Sequence, residues 1–233
     1  MYDLKKLLRS NSYPGRGIVA GLSADSKKAL WAYFIMGRSV NSRNRVFETF
    51  DGGMRTKAFD ESKLADPSLI IYNPYLSFGK KEIVTNGDQT DTVRDALAAG
   101  KGFADALRTR EFEPDAPNYT PRISAMLDLE GGFTYQMAIL KSADAEGSGC
   151  NRFFFEYAPV AGLGHFLHTY ITDGNPIPSF EGEPEPVFMP DTAEELCEWI
   201  WQNLDADNKV SLMTKEIDLE TGASKQYVVN KNR

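Results

Sequence analysis

Histidine and cysteine are nearly absent from this chain, with two of each in 233 residues. Cys150 and Cys197 make neither a disulfide framework nor a metal-ligand spacing. A reduced, cytoplasmic setting is therefore the expectation. His165 and His168 stand three apart in a segment that reads as a strand, where such a spacing puts side chains on opposite faces. A histidine metal pair is excluded on that reading, and a buried, satisfied histidine is expected instead. No G-x-S-x-G elbow supports a serine nucleophile. Positive charge is also short: 26 Lys and Arg against 33 Asp and Glu leave a net charge of -7. That excludes a broad electrostatic grip on nucleic acid or an anionic membrane. Any anionic ligand must be caught by a few locally placed cations. No apolar run approaches the roughly 20 residues that span a bilayer. The opening "MYDLKKLLRSNSYPGRG" has no apolar stretch of signal length. Internal repeats, a P-loop and a Gly-rich dinucleotide fingerprint are missing too.

What is present suits a folded domain with a sizeable core. Hydrophobic residues make up 42% of the chain and aromatic residues 12%. Apolar runs at 17–23, 29–37, 45–50, 68–72 and 81–86 read as strands. Residues 88–110 read as two helices joined at Gly100 and Gly102. Strands resume at 122–129, 133–143, 152–160 and 164–173, and a capped helix is expected over 191–204. Two last strands flank the turn "ETGA". The stretches 142–150 and 173–191 read as loops. Neighbouring strands are joined by short turns, so antiparallel pairing should dominate. Helices in two separate blocks can cover two sheets. The expected class is α+β over one domain spanning 1–233, with two stacked sheets and helices outside as one option.

Four polar clusters interrupt the apolar strands. "GRSVNSRNR" (37–45) gathers Arg38, Arg43 and Arg45, a phosphate site or else a solvated basic turn. "YNPYLSFG" (72–79) puts Asn73 and Tyr75 at a strand end, where the tyrosine can stack and bond or simply fill the core. "NGDQTDT" (86–92) crowds Asn86, Asp88, Thr90 and Asp91 onto one helix start, although an N-cap needs only one or two such residues. "EFEPDAPNYTPRIS" (111–124) sets Glu111, Glu113 and Asp115 in a proline-stiffened coil ahead of Arg122. Alone, that segment reads as an acidic linker.

Together the four match one pattern. "AYFIMGRSVNSRNRVF", "NPY", "NGDQTDT" and "NYTPRIS", in this order and spacing, resemble the archaeal-type IMP cyclohydrolase family. "HTYITDGNPIPSF" resembles its bacterial members. The resemblance runs from about residue 15 to about residue 191. It implies a four-layer αββα sandwich similar to the N-terminal nucleophile hydrolases. The chain begins Met1-Tyr2, so the self-processing amidohydrolase chemistry of those relatives is not expected.

The implied activity is ring closure of formamidoimidazole carboxamide ribonucleotide to inosine monophosphate, with loss of water, in purine biosynthesis. No metal and no redox cofactor is implied. By motif position the resemblance puts Arg38 and Arg43 on the substrate and Tyr75 and Glu113 on the chemistry, with Asp115 as the alternative acid. Asn73, Asn86, Asp88, Thr90, Asp91 and Arg122 are the remaining implied binding residues. The implied partner is a purine nucleotide, with a tendency to form homo-oligomers and no role for nucleic acid or membrane. Two other readings stay open: a purine-nucleotide-binding homologue without turnover, and an amidohydrolase with an internal nucleophile.

Overall fold

The computed structural model describes residues 1–63 and 70–232. Two antiparallel sheets lie face to face. One has six strands, in the order Glu185–Phe188 (β11), Leu163–His168 (β10), Arg16–Leu22 (β1), Lys28–Met36 (β2), Lys209–Asp218 (β12) and Ser224–Asn230 (β13). The other has seven in chain order: Arg45–Phe50 (β3), Gly53–Ala58 (β4), Tyr75–Phe78 (β5), Lys81–Thr85 (β6), Arg122–Asp128 (β7), Thr134–Ser142 (β8) and Cys150–Tyr157 (β9). The helices are Leu4–Ser10 (α1), the single turn Val40–Arg43 (α2), Gln89–Ala98 (α3), Phe103–Leu107 (α4) and Ala193–Asn203 (α5).

Strand β2 shows why the layers form. Its sequence "KALWAYFIM" is apolar at nearly every position, because both faces are covered. Trp31, Tyr33 and Ile35 point at the seven-stranded sheet and share its core with Phe47, Met54, Ile123 and Met137. Leu30, Phe34 and Met36 point the other way, onto Leu4 and Leu8 of α1 and Leu196 and Ile200 of α5. On the far side, Ile83, Met126 and Leu140 pack under Val93 of α3 and Phe103 and Leu107 of α4. Burying Trp31 alone contributes roughly 4 to 6 kcal/mol of gross hydrophobic free energy. No helix among the described residues is long and apolar enough to cross a membrane.

Most expected elements are present, and the class is α+β with two antiparallel sheets. The helix break falls at Gly100 and Gly102, as the sequence predicts. Thr192 caps α5 by accepting from Glu195 N at 3.2 Å. Several elements are additions, the single turn α2 and strand β5 among them. Helix α1 is held by an Asp3 cap and by Leu4 and Leu8 on one face. Strand β4 alternates buried Met54 and Thr56 with exposed Arg55 and Lys57. Short β11 interrupts the stretch 173–191 read as a loop. The strand expected over 68–72 is not found where it can be judged: Ile70–Tyr72 are turn and bend, and residues 68 and 69 lie outside the described residues. Strand β10 stops at His168, five residues short of its expected end. His165 and His168 do face opposite ways. His165 stacks on Tyr157 and its Nδ1 meets Tyr135 Oη at 2.7 Å, whereas His168 lies against Phe166 and pairs with Glu185. Burial pushes the His165 imidazole down to about 4 and keeps it neutral.

Candidate functional site

Strands β1, β3 and β7 all begin at one end of the sandwich, and each begins with an arginine: Arg16, Arg45 and Arg122. Arg16 stands two residues before Ile18, so it shares the inward face. Arg45 stands likewise before Phe47. The turn into β1 is fixed by Gly15, at φ +78°, where an added Cβ would lie 2.2 Å from Thr169 Oγ1. Only glycine fits there, and it aims the chain so that Arg16 opens β1 on its inward face. Tyr33 and Tyr72 meet beside this centre, hydroxyl to hydroxyl, at 2.9 Å.

Glu113 joins the arginines from the proline-stiffened loop and is 3% exposed. Burial pushes its carboxyl up to about 7, while Arg16 and Arg122 work in the opposite direction. Its backbone N–H donates to Thr120 O at 2.9 Å, which closes the loop behind it. Asp115 has a different task. It accepts from Thr120 N at 2.6 Å and from Thr120 Oγ1, and that hydroxyl also meets Tyr170 Oη at 2.6 Å. Asp115 shapes the loop, and Glu113 faces the arginines.

Arg38 and Arg43 lie on the exposed segment that follows β2, at the same end. Arg38 stacks over Tyr13 at 5.0 Å, pairs with Asp173 and donates to Gly174 O at 2.9 Å. Arg43 donates to Gly37 O at 2.9 Å and to Asn208 Oδ1 at 3.0 Å. The short turn α2, which ends at Arg43, is closed by a Ser39–Ser42 capping box.

The crowded turn at 86–92 resolves into internal chemistry. Asn86 is wholly buried; it donates to Pro121 O at 2.9 Å and accepts from Ile123 N and Gln89 Nε2. Thr90 is also wholly buried and bonds to Thr85 Oγ1 and Gly87 O. These bonds account for both residues without a ligand. Asp88 sits at the N-cap of α3, yet its side chain makes no capping bond. It pairs instead with Arg110 and Arg122. Burial works to raise the Asp88 carboxyl, but the two arginines hold it below the ordinary value. Arg122 also donates to Gln89 Oε1 at 2.7 Å, and a Cβ on Gly87 would stand 2.4 Å from its Nη1. The glycine of this turn thus leaves room for the guanidinium. Asp91 pairs with Arg94, and Asn73 Nδ2 approaches it at 3.5 Å.

Tyr75 lies elsewhere in the interior. Its ring packs on Trp31 at 4.8 Å, and its hydroxyl accepts from Lys215 Nζ at 2.6 Å. Lys215 pairs with Glu82 at 2.8 Å, and Trp31 Nε1 donates to the same carboxylate oxygen at 3.3 Å. Burial and Glu82 raise the Tyr75 hydroxyl far above the usual phenol range, so it stays protonated. Two cavities, of about 730 and 580 Å³, reach Lys215 from outside. The structure therefore gathers Glu113, Arg122 and Asp88 around one centre and places Tyr75 on another network. The motifs did not single out Arg16, Tyr33, Tyr72, Glu82 or Lys215. Alternation was the available signal: Arg16 shares the inward face of β1 with Ile18, and Lys215 shares that of β12 with Met213 and Ile217.

The chain is similar to known proteins over most of its length. The family model described as IMP cyclohydrolase-like protein matches residues 13–222. The IMP cyclohydrolase of Methanopyrus kandleri is 31% identical over 188 residues, covering 72% of this chain and 89% of that one. The IMP cyclohydrolase of Methanocaldococcus jannaschii is 25% identical over 225 residues, covering 88% and 94%. With the motif clusters at their strand ends and a match of this extent, the chain belongs to the IMP cyclohydrolase-like protein family.

Proposed function

We propose that this protein is an IMP cyclohydrolase, an enzyme of purine biosynthesis that closes formamidoimidazole carboxamide ribonucleotide to inosine monophosphate with release of water. The observation that carries the reading is Glu113: a buried carboxyl, brought to about 7, among arginines at the strand ends of a chain of this family. A general base works best when its pKa is near the working pH.

The reaction is intramolecular, so positioning supplies much of the acceleration. The carboxamide nitrogen attacks the formyl carbon and loses one proton, while the formyl oxygen gains one and becomes a hydroxyl. The formamido nitrogen then gives up its proton as the hydroxyl leaves as water, and a carbon–nitrogen double bond closes the ring. Glu113 accepts the proton from the attacking nitrogen and passes it toward the departing oxygen. Tyr75, whose hydroxyl is held by Lys215 on the separate network, is left outside this chemistry.

Arg38 and Arg43, exposed at the rim, take the phosphate, and Arg38 exchanges Asp173 for it. Asn73, Asp88, Asp91 and Arg122 shape the floor, with Asn86 and Thr90 fixing the turn beneath. The two sheets with helices on both outer faces support a four-layer sandwich similar to the N-terminal nucleophile hydrolases. The deciding experiment incubates the purified chain with the formamido ribonucleotide and follows inosine monophosphate by chromatography. Binding of inosine monophosphate without turnover would make the chain a nucleotide-binding homologue. Cleavage of an amide substrate would make it an amidohydrolase.

A further inference from the structure

Arg16 is not part of any motif cluster, and its surroundings are unusual. Its Nε–H is shut off from solvent and meets no hydrogen-bond partner. Among the described residues no carboxylate forms an ion pair with Arg16 or Arg45. Arg45 donates to two backbone carbonyls, Ser42 O at 2.9 Å and Met36 O at 3.2 Å. Burial, and then Arg16 itself, lowers the proton affinity of Arg45. Burial works against the Arg16 charge too, but Glu113 and the neighbouring tyrosines outweigh it and hold that guanidinium firmly protonated. Arg45, wholly buried, and Arg16, half-buried, thus share the field of one carboxyl, and that carboxyl is mostly ionised only above about pH 7. A wholly buried cation such as Arg45, without a carboxylate partner of its own, destabilises a fold. Such an arrangement is characteristic of sites that complete themselves with a ligand.

The ligand group is constrained by Glu113. A phosphate dianion beside a buried carboxylate would be repelled by it. A carbonyl oxygen is neutral in the ground state and gains negative charge only as the ring closes. It suits a cation beside a carboxylate, and the contact strengthens in the transition state.

We infer that Arg16 is a catalytic residue: its part-exposed guanidinium, at the head of β1 and without a carboxylate ion-pair partner among the described residues, donates to the substrate oxygen on which negative charge grows during ring closure. This rests on the cyclohydrolase reading above and adds to it a residue that the motifs do not contain. The rim arginines take the phosphate, and Arg16 takes the reacting end.

The test compares Arg16→Gln and Arg16→Lys with wild type. Calorimetry with inosine monophosphate shows whether each variant folds and binds. Both variants should bind it within severalfold of wild type and lose about a hundredfold or more in kcat, in line with removal of one oxyanion donor. The pH profile adds a readout that a packing role would not move. Arg16 lowers the proton affinity of Glu113, so Arg16→Gln should shift the acid limb of kcat/KM to higher pH. Arg16→Lys keeps the charge and should leave that limb in place. A kcat within severalfold of wild type in both variants, or limbs that coincide in all three proteins, overturns the inference. A wild-type chain that binds inosine monophosphate and never closes the ring overturns the cyclohydrolase reading and this inference with it; wild-type turnover with an indifferent Arg16 overturns the inference alone.

Discussion

Replacing Glu113 by glutamine removes one titrating group and little volume, and its effect on stability and on activity should separate with pH. The ordinary value for a glutamate side chain is 4.5, and the interior raises it here to about 7. At about 1.36 kcal/mol for each tenfold change in proton affinity, that displacement corresponds to roughly 3 kcal/mol. The sign follows from which form the fold prefers. The folded state favours the protonated carboxyl, so the contribution is fully present below 4.5 and is lost as pH rises through about 7. Wild type should therefore lose roughly 3 kcal/mol more than Glu113→Gln between pH 4.5 and pH 8. Urea unfolding of both proteins at half-unit pH steps measures that difference, and every other titrating group cancels in it.

Activity should move the other way. If Glu113 is the base, wild-type kcat/KM rises with pH along a limb of unit slope centred near 7. Glu113→Gln should lose that limb and fall by roughly a hundredfold to ten-thousandfold in kcat. The protein gives up stability at neutral pH to hold a carboxylate where the reaction needs one. Stability curves that stay parallel within about 0.5 kcal/mol would refute the buried, raised carboxyl. A Gln variant within severalfold of wild-type kcat would refute its role as base.

Three further expectations are open to simple measurements. Arg38→Ala and Arg43→Ala should each weaken inosine monophosphate binding by roughly tenfold to a hundredfold in calorimetry, since a charge-assisted phosphate contact is worth about 1.5–3 kcal/mol; the smaller loss is expected at Arg38, which must first leave Asp173. Unchanged affinity in both would remove the phosphate assignment. Tyr75→Phe should keep kcat within severalfold of wild type and lower the unfolding free energy by about 1–3 kcal/mol, because its hydroxyl serves the Lys215 contact; a hundredfold loss of kcat with affinity intact would return Tyr75 to the chemistry. Exhaustive chelation should leave turnover unchanged, because ring closure with loss of water needs only proton transfer and positioning; loss of activity restored by one added metal would contradict this.

The strands and long helices were legible because their signals are local. Apolar runs such as "KALWAYFIM", the cap at Thr192 and the break at Gly100 and Gly102 each act within a few residues of themselves. The motif clusters were legible as short polar strings, and they marked Arg38, Arg43, Glu113 and Arg122. The division of labour inside those strings was not. Asn86 and Thr90 stand in one of them as polar residues on a turn, and only the fold shows Pro121 O, Ile123 N and Thr85 Oγ1 closing around them. Asp88 occupies a cap position by sequence, and two arginines from later segments decide how its carboxylate is used. Arg16 and Lys215 were invisible as functional candidates for the same reason. Each is one charged residue in a chain with many, and its meaning lies in partners up to 140 positions away, as between Lys215 and Tyr75. The sequence by itself determined which segments become strands and helices, through alternation, caps and turns. Only the tertiary structure decided which charges share an interior and which of them lack partners, because the energy of a buried charge depends on its neighbours in space and not on its neighbours in the chain.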